Sequence, residues 1–574
     1  MKFSKLAQYF EKIELTPKRN EMVEILSRLF KECSLDELDK IVYFCQEKLR
    51  PAFEKVEFGI NEKLTEKAIS LAYDKSEEKI RTLFQKLGDY GLAAEELALE
   101  SSKNLTIKDV YEKLYVLTSI SGDGVVKEKT EILAQLFKDI GKNGVRYAVR
   151  IPLATLRLGI GDPTILDALS FAHTGDKSIR KELEQAYNRC SDLGLVAKTL
   201  FIEGKEKIEK FKIIVGHPIR PALAERLSSP EDIIKKIGTC AVEPKYDGFR
   251  CQVHKNKNDV QIFSRNLENN TKMFPDIVSA VLKQVKVKTA IFEGEALSYD
   301  PETGECLPFQ VTVKRKRKYD IAEKMVQYPL QLFIFDLLYA DDEDLTGLSY
   351  VERREKLKEI LGKGEILKES ETQIVDTPDK LAKIFDDAIT RGLEGIVAKR
   401  LDSSYKAGGR NFNWIKLKRS YQVKLADTVD CIIVGYLVGQ GHRAKFGIGS
   451  VLTAVYDSKE DNFKTIAKIG SGLTEEEWID LFAMLGKIKT KEKDKQIISE
   501  IEPDVWVYPK YVVEVQADEI TRSPVHTCGK EGDGSGYALR FPRIVTFIRR
   551  DKDPKDATTV QEIIKLYKLQ GKQA

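Results

Sequence analysis

Apolar positions follow a helical period through the first part of the chain and change rhythm after about residue 215. Met22, Ile25, Leu26 and Leu29 fall at i, i+3, i+4 and i+7, and Leu38, Ile41, Val42 and Cys45 repeat the stripe, the spacing that lines one face of an α-helix. Ser34 and Glu37 stand at capping-box spacing before the second stripe, with Pro51 beyond it. No unit of fixed period recurs, which argues against a solenoid. From 216 to 420 short β-rich runs ("TAIFEGEAL", "LQLFIFDLLY", "EGIVAKR") alternate with helical stretches such as "YVERREKLKEIL", the texture of an α+β domain on antiparallel sheets. From 421 to 574, "DCIIVGYLVG", "FGIGSVLTAVY" and "YVVEVQAD" read as glycine-punctuated strands, and "TTVQEIIKLYKL" as a closing helix. The pattern predicts a helical domain over 1–215, an α+β domain over 216–420 and a small β-barrel with a helical tail over 421–574.

Length agrees: 574 residues suggest roughly three or four compact units. With 42% hydrophobic and 32% charged residues, the chain reads as globular rather than disordered. No apolar run nears the roughly 18 residues of a membrane span, and "MKFSKLAQYF" lacks a signal-peptide core. These features predict an intracellular, cytoplasmic protein, and nothing suggests more than a monomer. The eight cysteines show no C-x-x-C pair and the five histidines no ligand spacing, so free thiols are expected rather than zinc or a disulfide framework. A net charge of +4 is small, but "KRKRK" (314–318), "KLKR" (416–419) and "IRR" (548–550) concentrate cations that suit phosphates. Each cluster alone reads as a solvated face.

The chemistry starts at "AVEPKYDGFRCQVH" (241–254), where Lys245 precedes an Asp-Gly pair and an alternating run. Asp-Gly signals a tight turn, and the alternation sends Phe249, Cys251 and Val253 to one strand face and Arg250 and Gln252 to the other. A lysine of ordinary pKa, about 10.4, is a cation and no nucleophile unless burial or neighbouring cations lower it. Taken alone, Lys245 is a solvated residue at a turn. Downstream, Glu293 and Glu295 share a strand face in "FEGEAL", Glu394 opens "EGIVAK", and Lys399 stands near its end. Carboxylates on sheet edges suit Mg²⁺, which takes one or two of them beside water and phosphate oxygens. Lys416 and Lys418 share a face in "WIKLK", with Ile415 and Leu417 turned inward. A lysine nucleophile, metal carboxylates and paired cations in one β-rich domain make a kit for nucleotidyl transfer. "EGDGSG" (531–536) does not join a strand to a helix, and no P-loop string occurs.

The strings "EPKYDGFR", "SRN", "EGEAL", "FDLLY", "EGIVAK" and "WIKLK" resemble the ordered motifs of the covalent nucleotidyltransferases, and in detail ATP-dependent DNA ligases of the archaeal and eukaryotic replicative type. "RIPLATLRLGIGDPTILDAL" (150–169) resembles that family's helical DNA-binding domain, while "SPVHTCG", "YALRFPR" and "DATTVQEIIKLY" resemble its C-terminal part. Without a long N-terminal extension the chain looks archaeal rather than eukaryotic. The resemblance implies a multidomain fold: an all-α DNA-binding domain, an adenylylation domain and an OB-fold barrel. It implies an enzyme that seals nicks in duplex DNA with ATP and Mg²⁺, or Mn²⁺ in its place, during replication, repair and recombination.

Carried over by position, it implies that Lys245 is adenylylated, that Glu243 lies by the adenine amino group and that Phe335 stacks on the base. Arg250, Arg265 and Arg410 would contact the nucleotide or nick phosphate, and Lys399, Lys416 and Lys418 would hold phosphates. Glu295 would touch ribose or metal, Glu394 would bind metal, and Glu293 is the weaker candidate. One departure concerns "RFPRIVTFIRRDK" (540–552): the family has a further arginine near Thr546, and the spacing to "DK" is one residue longer here. Arg549 and Arg550 both stay open for the phosphate-orienting role. The N-terminal "KLAQYFEKIE" is an amphipathic helix in a region where family members often hold a ring-shaped sliding clamp. An RNA-capping or RNA-ligase type transferase shares the lysine motif but not the long helical region. A non-catalytic DNA-binding scaffold is opposed by the filled phosphate-handling positions.

Overall fold

The computed structural model describes all residues except 102, 301–305, 308, 316–320, 419–427, 440, 533 and 573–574. Parts of "KRKRK", "KLKR" and "EGDGSG" therefore lie outside the described residues. The chain divides into two compact units, one of Met1–Glu225, Ile234–Thr377 and Val397–Ile415, the other of Arg226–Ile233, Pro378–Ile396 and Lys416–Ala574.

In the first unit, helices fill the chain from Phe3–Glu14 to Lys205–Glu209. The predicted stripes form their inner faces: Met22, Leu26 and Leu29 on Arg19–Glu32, and Leu38, Ile41, Val42 and Cys45 on Leu35–Cys45, belong to one apolar cluster running from Phe3 to Phe211. The expected capping box at Ser34 does not form. Glu37 instead takes the N-terminal ammonium at 2.6 and 2.7 Å and the Ser34 hydroxyl at 2.9 Å, because a full positive charge competes better for a carboxylate than a neutral backbone N–H.

Two sheets follow. One orders its strands Asp259–Ser264, Phe249–Asn256, Thr289–Ser298, Leu330–Ala340 and Glu343–Asp344, with Leu367–Glu369 parallel to Leu330–Ala340. The other runs Leu223–Arg226, Arg410–Lys418, Gly395–Arg400, Cys240–Lys245, Gln373–Val375. The Asp-Gly pair after Lys245 is thus not a hairpin turn, since Cys240–Lys245 and Phe249–Asn256 belong to different sheets. It is a crossing point. A Cβ on Gly248 would stand 2.4 Å from the Ala296 carbonyl oxygen, so only glycine lets the chain pass this close to the neighbouring strand.

Register explains the faces of the first sheet. Arg250 pairs with Glu295 and Gln252 with Glu293, while Cys251 opposes Gly294 and Val253 opposes Phe292. Cys251, Val253, Phe292, Leu332, Ile334 and Leu337 join one core. The pairing of Leu330–Ala340 with Thr289–Ser298 slips between Glu293 and Gly294, which face Asp336 and Ile334. Phe335 is the extra residue of this β-bulge, so Phe335 and Asp336 both leave the core face despite being neighbours in sequence.

The second unit is rich in strands. An eight-stranded sheet is built around Val429–Val438, Ile448–Asp457 and Asn462–Ile469, with register shifts in both of these pairings that curl it, and Glu519–Ser523 pairs with Gly536–Arg540. Trp478, Leu481 and Leu485 of the helix Glu475–Gly486 and Ile563 of the tail helix Val560–Lys572 complete its core.

Candidate active site

Lys245 ends the strand Cys240–Lys245, half-buried, and shares a strand face with the buried Glu243 two residues earlier. Glu295, half-buried, projects from the polar face of the neighbouring sheet. Burial lifts its carboxyl to about 7, against the pull of the positive charges of Lys245 and Arg250. The lysine, this carboxylate and Arg250 therefore share one electrostatic neighbourhood, although up to fifty residues separate them in sequence.

Glu293 is 1% exposed and accepts from Arg250 at 2.8 Å, Tyr405 at 2.8 Å and Gln252 at 3.2 Å. A carboxylate so saturated is a structural anchor and a poor metal ligand. Arg250 sends its other arm to the Ala222 carbonyl at 2.9 Å, and its buried Nε has no hydrogen-bond partner among the described residues. Its guanidinium stands 5.4 Å from the Phe335 ring and 5.7 Å from Trp414.

The aromatic side is built around Lys399, whose ammonium lies 4.8 Å from the centre of Phe335, 4.4 Å from Trp414 and 5.2 Å from Tyr350. It pairs with Glu243 at 2.9 Å and donates to the Phe335 carbonyl at 3.1 Å. Burial holds its pKa below the usual lysine range despite the Glu243 charge. Glu243 also accepts from the Tyr350 hydroxyl at 2.5 Å and lies 3.6 Å from Arg354. Lys399 thus bridges the carboxylate expected at the base and the backbone of Phe335, through two of its three N–H donors. Beneath the bulge, Asp336 and Arg353, both wholly buried, pair through two contacts of 2.7 and 3.0 Å, and Arg353 also holds the Leu348 and Ser403 carbonyls. Bidentate geometry and filled valences let this charge pair exist in the interior.

Arg265, in the turn after Asp259–Ser264, and Arg410, opening Arg410–Lys418, are exposed. In the second unit Lys418 pairs with Glu394, and Lys416 is half-buried on the same strand, with the buried Leu417 between the two lysines. Gly395 sits at φ +147°, where a Cβ would meet the Leu417 carbonyl oxygen at 2.1 Å; only glycine fits after Glu394. Arg549 pairs with Asp430 at 3.2 Å and Asp551 at 2.7 Å, and Lys552 reaches Asp430 at 2.5 Å, while Arg550 is exposed. Of the described part of "KRKRK", Arg315 is buried on Asp276 at 2.7 Å and Lys314 is exposed. Among the described residues no disulfide joins the cysteines, and no three His, Cys, Asp or Glu groups cluster as a metal cage. Glu295, a single half-buried carboxylate, is the kind of donor that a hard divalent cation takes beside water and phosphate oxygens.

Sequence reasoning missed Tyr350, Tyr405, Arg353, Arg354 and Trp414 as parts of this assembly. Trp414 and Asp336 stood inside quoted motifs. The tyrosines and the Arg353–Arg354 pair carried no local signal, because their partners are distant in the chain.

A strand-end lysine coupled to a carboxylate and an arginine, beside a ring-walled cation, is the equipment of a nucleotidyltransferase. A family model described as "ATP dependent DNA ligase domain" matches residues 221–418, "DNA ligase N terminus" matches 2–170, and "ATP dependent DNA ligase C terminal region" matches 444–552. A "Probable DNA ligase" of Dictyoglomus turgidum is 55% identical over 573 residues, spanning 100% of this chain and 98% of its own. A "DNA ligase" of Sulfurisphaera tokodaii is 42% identical over 588 residues, spanning 99% and 98%. The solved structure "Pmar-Lig_Pre" has a TM-score of 0.56 at 18% identity, covering 94% of this chain and 98% of its own, a likeness of fold. The chain belongs to the ATP-dependent DNA ligases. No helix among the described residues is long and apolar enough to cross a membrane.

Proposed function

We propose that this ligase seals nicks in duplex DNA through a lysyl-AMP intermediate on Lys245, serving replication, repair and recombination in the cytoplasm as a monomer. The observation that carries the reading is geometric: the turn that follows Lys245 passes against Ala296, next to Glu295, which the sheet register sets opposite Arg250. The deprotonated Lys245 amine attacks the α-phosphorus of ATP; a P–N bond forms, the nitrogen gives up a proton, the bond from the α-phosphorus to the bridging oxygen breaks, and pyrophosphate leaves. An oxygen of the 5′-phosphate at the nick then displaces the lysine, which takes back a proton. Last, the 3′-hydroxyl attacks that 5′-phosphorus, loses its proton, and AMP departs. In each step positioning dominates.

Glu243 reads the adenine amino group, Phe335 stacks on the base, and Arg250, Arg265 and Arg410 contact nucleotide or nick phosphate. Lys399, Lys416 and Lys418 hold phosphates, Lys399 from its place beside Glu243. Glu295 and Glu394 are the carboxylates for Mg²⁺, with Mn²⁺ able to substitute. When bound, the metal offsets charge on the leaving pyrophosphate. Either Arg549, between Asp430 and Asp551, or the exposed Arg550 takes the C-terminal phosphate-orienting role. The working domains are 1–215, 216–420 and 421–574. A sliding clamp engages the N-terminal region through the polar face of Phe3–Glu14, because Phe3, Leu6, Tyr9, Phe10 and Ile13 are buried in the helical core.

Incubation with labelled ATP and magnesium, followed by intact mass and peptide mapping, tests the reading. A single AMP on Lys245, absent from Lys245→Ala, is expected. An adduct retained by that variant overturns the assignment, and an adduct formed from GTP points to a capping enzyme.

A further inference from the structure

Three alternate residues of the strand Phe249–Asn256 hold every third residue of the segment that leads from the last helix of the helical region into the first strand, Leu223–Arg226. His254 Nδ1 accepts from the Gly216 N–H at 2.9 Å. Gln252 Oε1 accepts from the Ile219 N–H at 2.7 Å, and its Nε2 donates to the Ile219 carbonyl at 2.8 Å. Arg250 donates to the Ala222 carbonyl at 2.9 Å, while the Ala222 N–H reaches the Tyr405 hydroxyl at 2.8 Å. A strand's period of two and an irregular connecting segment, turned at Gly216, meet here side by side, through side chains rather than backbone.

Gln252 is the middle rung and has no spare hydrogen-bonding capacity. With Nδ1 of the neutral His254 accepting, its Nε2–H donates to Gln252 Oε1 at 3.0 Å. The second amide hydrogen of Gln252 goes to Glu293 Oε1 at 3.2 Å, and Glu293 in turn holds Arg250 at 2.8 Å. Both hydrogens and both lone pairs of the amide are used, which fixes its orientation. Ile219, Gln252, Glu293, Arg250 and Ala222 thus form a closed ring in which Gln252, 4% exposed, and Glu293, 1% exposed, have no water to replace a lost partner.

We infer that Gln252 is a positioning residue for self-adenylylation: it locks the connecting segment Gly216–Ala222 and the Glu293–Arg250 pair into one arrangement, so that the guanidinium is aimed only when that segment is seated. The inference rests on the reading of Lys245 as the adenylylated lysine. Gln252 touches neither nucleotide nor metal; it acts through Arg250. The segment carries the helical region's position into the catalytic sheet, and the ring makes that position and the aim of Arg250 a single cooperative variable.

The test is the ATP dependence of single-turnover AMP transfer by the full-length protein, with Gln252→Leu and, as a second variant of nearly unchanged size that loses both amide donors, Gln252→Glu. Loss of Arg250's aim raises the ATP concentration for half-maximal rate by about tenfold, with a smaller fall in the saturating rate. In an Arg250→Lys background Gln252→Leu adds almost nothing, since both act through one contact. Sealing of a nick that already carries 5′-AMP changes less than AMP transfer does. A variant that lowers melting temperature and saturating rate but keeps the parent's ATP dependence, or that adds its full cost to Arg250→Lys, overturns the inference. If Gln252→Leu does not fold, Gln252→Glu decides by the same two criteria, and should both fail to fold while Tyr405→Phe folds, Gln252 is a folding residue and the inference falls. An adduct surviving Lys245→Ala would instead sink the underlying assignment, whatever Gln252 does.

Discussion

The two faces of the sheet around Thr289–Ser298 are made from the same strands and obey opposite rules. One presents Cys251, Val253, Phe292, Ile334 and Leu337 to a dry core. The other presents Arg250, Gln252, His254, Glu293 and Glu295, of which Gln252, His254 and Glu293 are as buried as the core. Apolar groups are interchangeable within the limits of volume, because dispersion and burial have no direction. Polar groups at the same depth each demand a named partner. The difference teaches that depth alone does not separate scaffold from site here. Connectivity does: on the polar face, each group's orientation is dictated by another's.

Substitutions on the two faces should separate stability from activity, beginning with the largest effect. Phe292→Ala removes a wholly buried ring and should cost about 3–5 kcal/mol of unfolding free energy. Denaturant titration reads this, and AMP transfer below the melting range should survive; loss of transfer in the folded variant would mean that the faces are not independent. Asp336→Ala on the polar side strands Arg353 in the interior and should also cost about 3–5 kcal/mol, whereas the double change Asp336→Leu with Arg353→Met should recover most of it. If the double variant stays as unstable as the single, the pair itself, rather than the orphaned charge, supplies the stability.

Smaller effects sharpen the contrast. Tyr405→Phe deletes one hydroxyl that serves both Glu293 and Ala222 and should cost about 1–2 kcal/mol in thermal or chemical melting, with a larger proportional loss in AMP transfer. A purely thermal effect would move Tyr405 to the scaffold. The smallest change expected is in pH dependence. Glu295 titrates near 7 in the folded protein against an ordinary value of 4.5, so the folded state keeps the proton to higher pH. Its contribution to stability is complete below the ordinary value and is lost as pH rises through about 7. Glu295→Gln should therefore melt above the parent at about pH 8, an advantage that fades toward acid. An advantage that grows on acidification would reverse the assigned direction.

Much of the scaffold was legible because its signals are local. The stripes at Met22–Leu29 and Leu38–Cys45 became inner helix faces, and the alternation of Phe249, Cys251 and Val253 became a core face, since a helix or strand turns any periodic pattern into a side. The motif strings around Lys245, Glu295, Phe335 and Lys399 located the family and the neighbourhood. What stayed hidden was pairwise and long-range. Glu37 abandoned its cap for the N-terminus, the Asp-Gly pair marks a crossing between two sheets, and Lys399 pairs with Glu243.

By itself, the order of residues determined which segments coil and which extend, which faces are oily, and that a lysine, acids and cations come in the sequence of a nucleotide-transferring domain. Only tertiary structure decided the pairings: that a one-residue bulge turns Phe335 and Asp336 to the same side, and that Gln252 joins a connecting segment to Arg250. The physical reason is one of range. Periodicity and propensity act over a few residues, whereas a buried charge or amide is satisfied by whichever partner the fold brings within about 3 Å, however far away it lies along the chain.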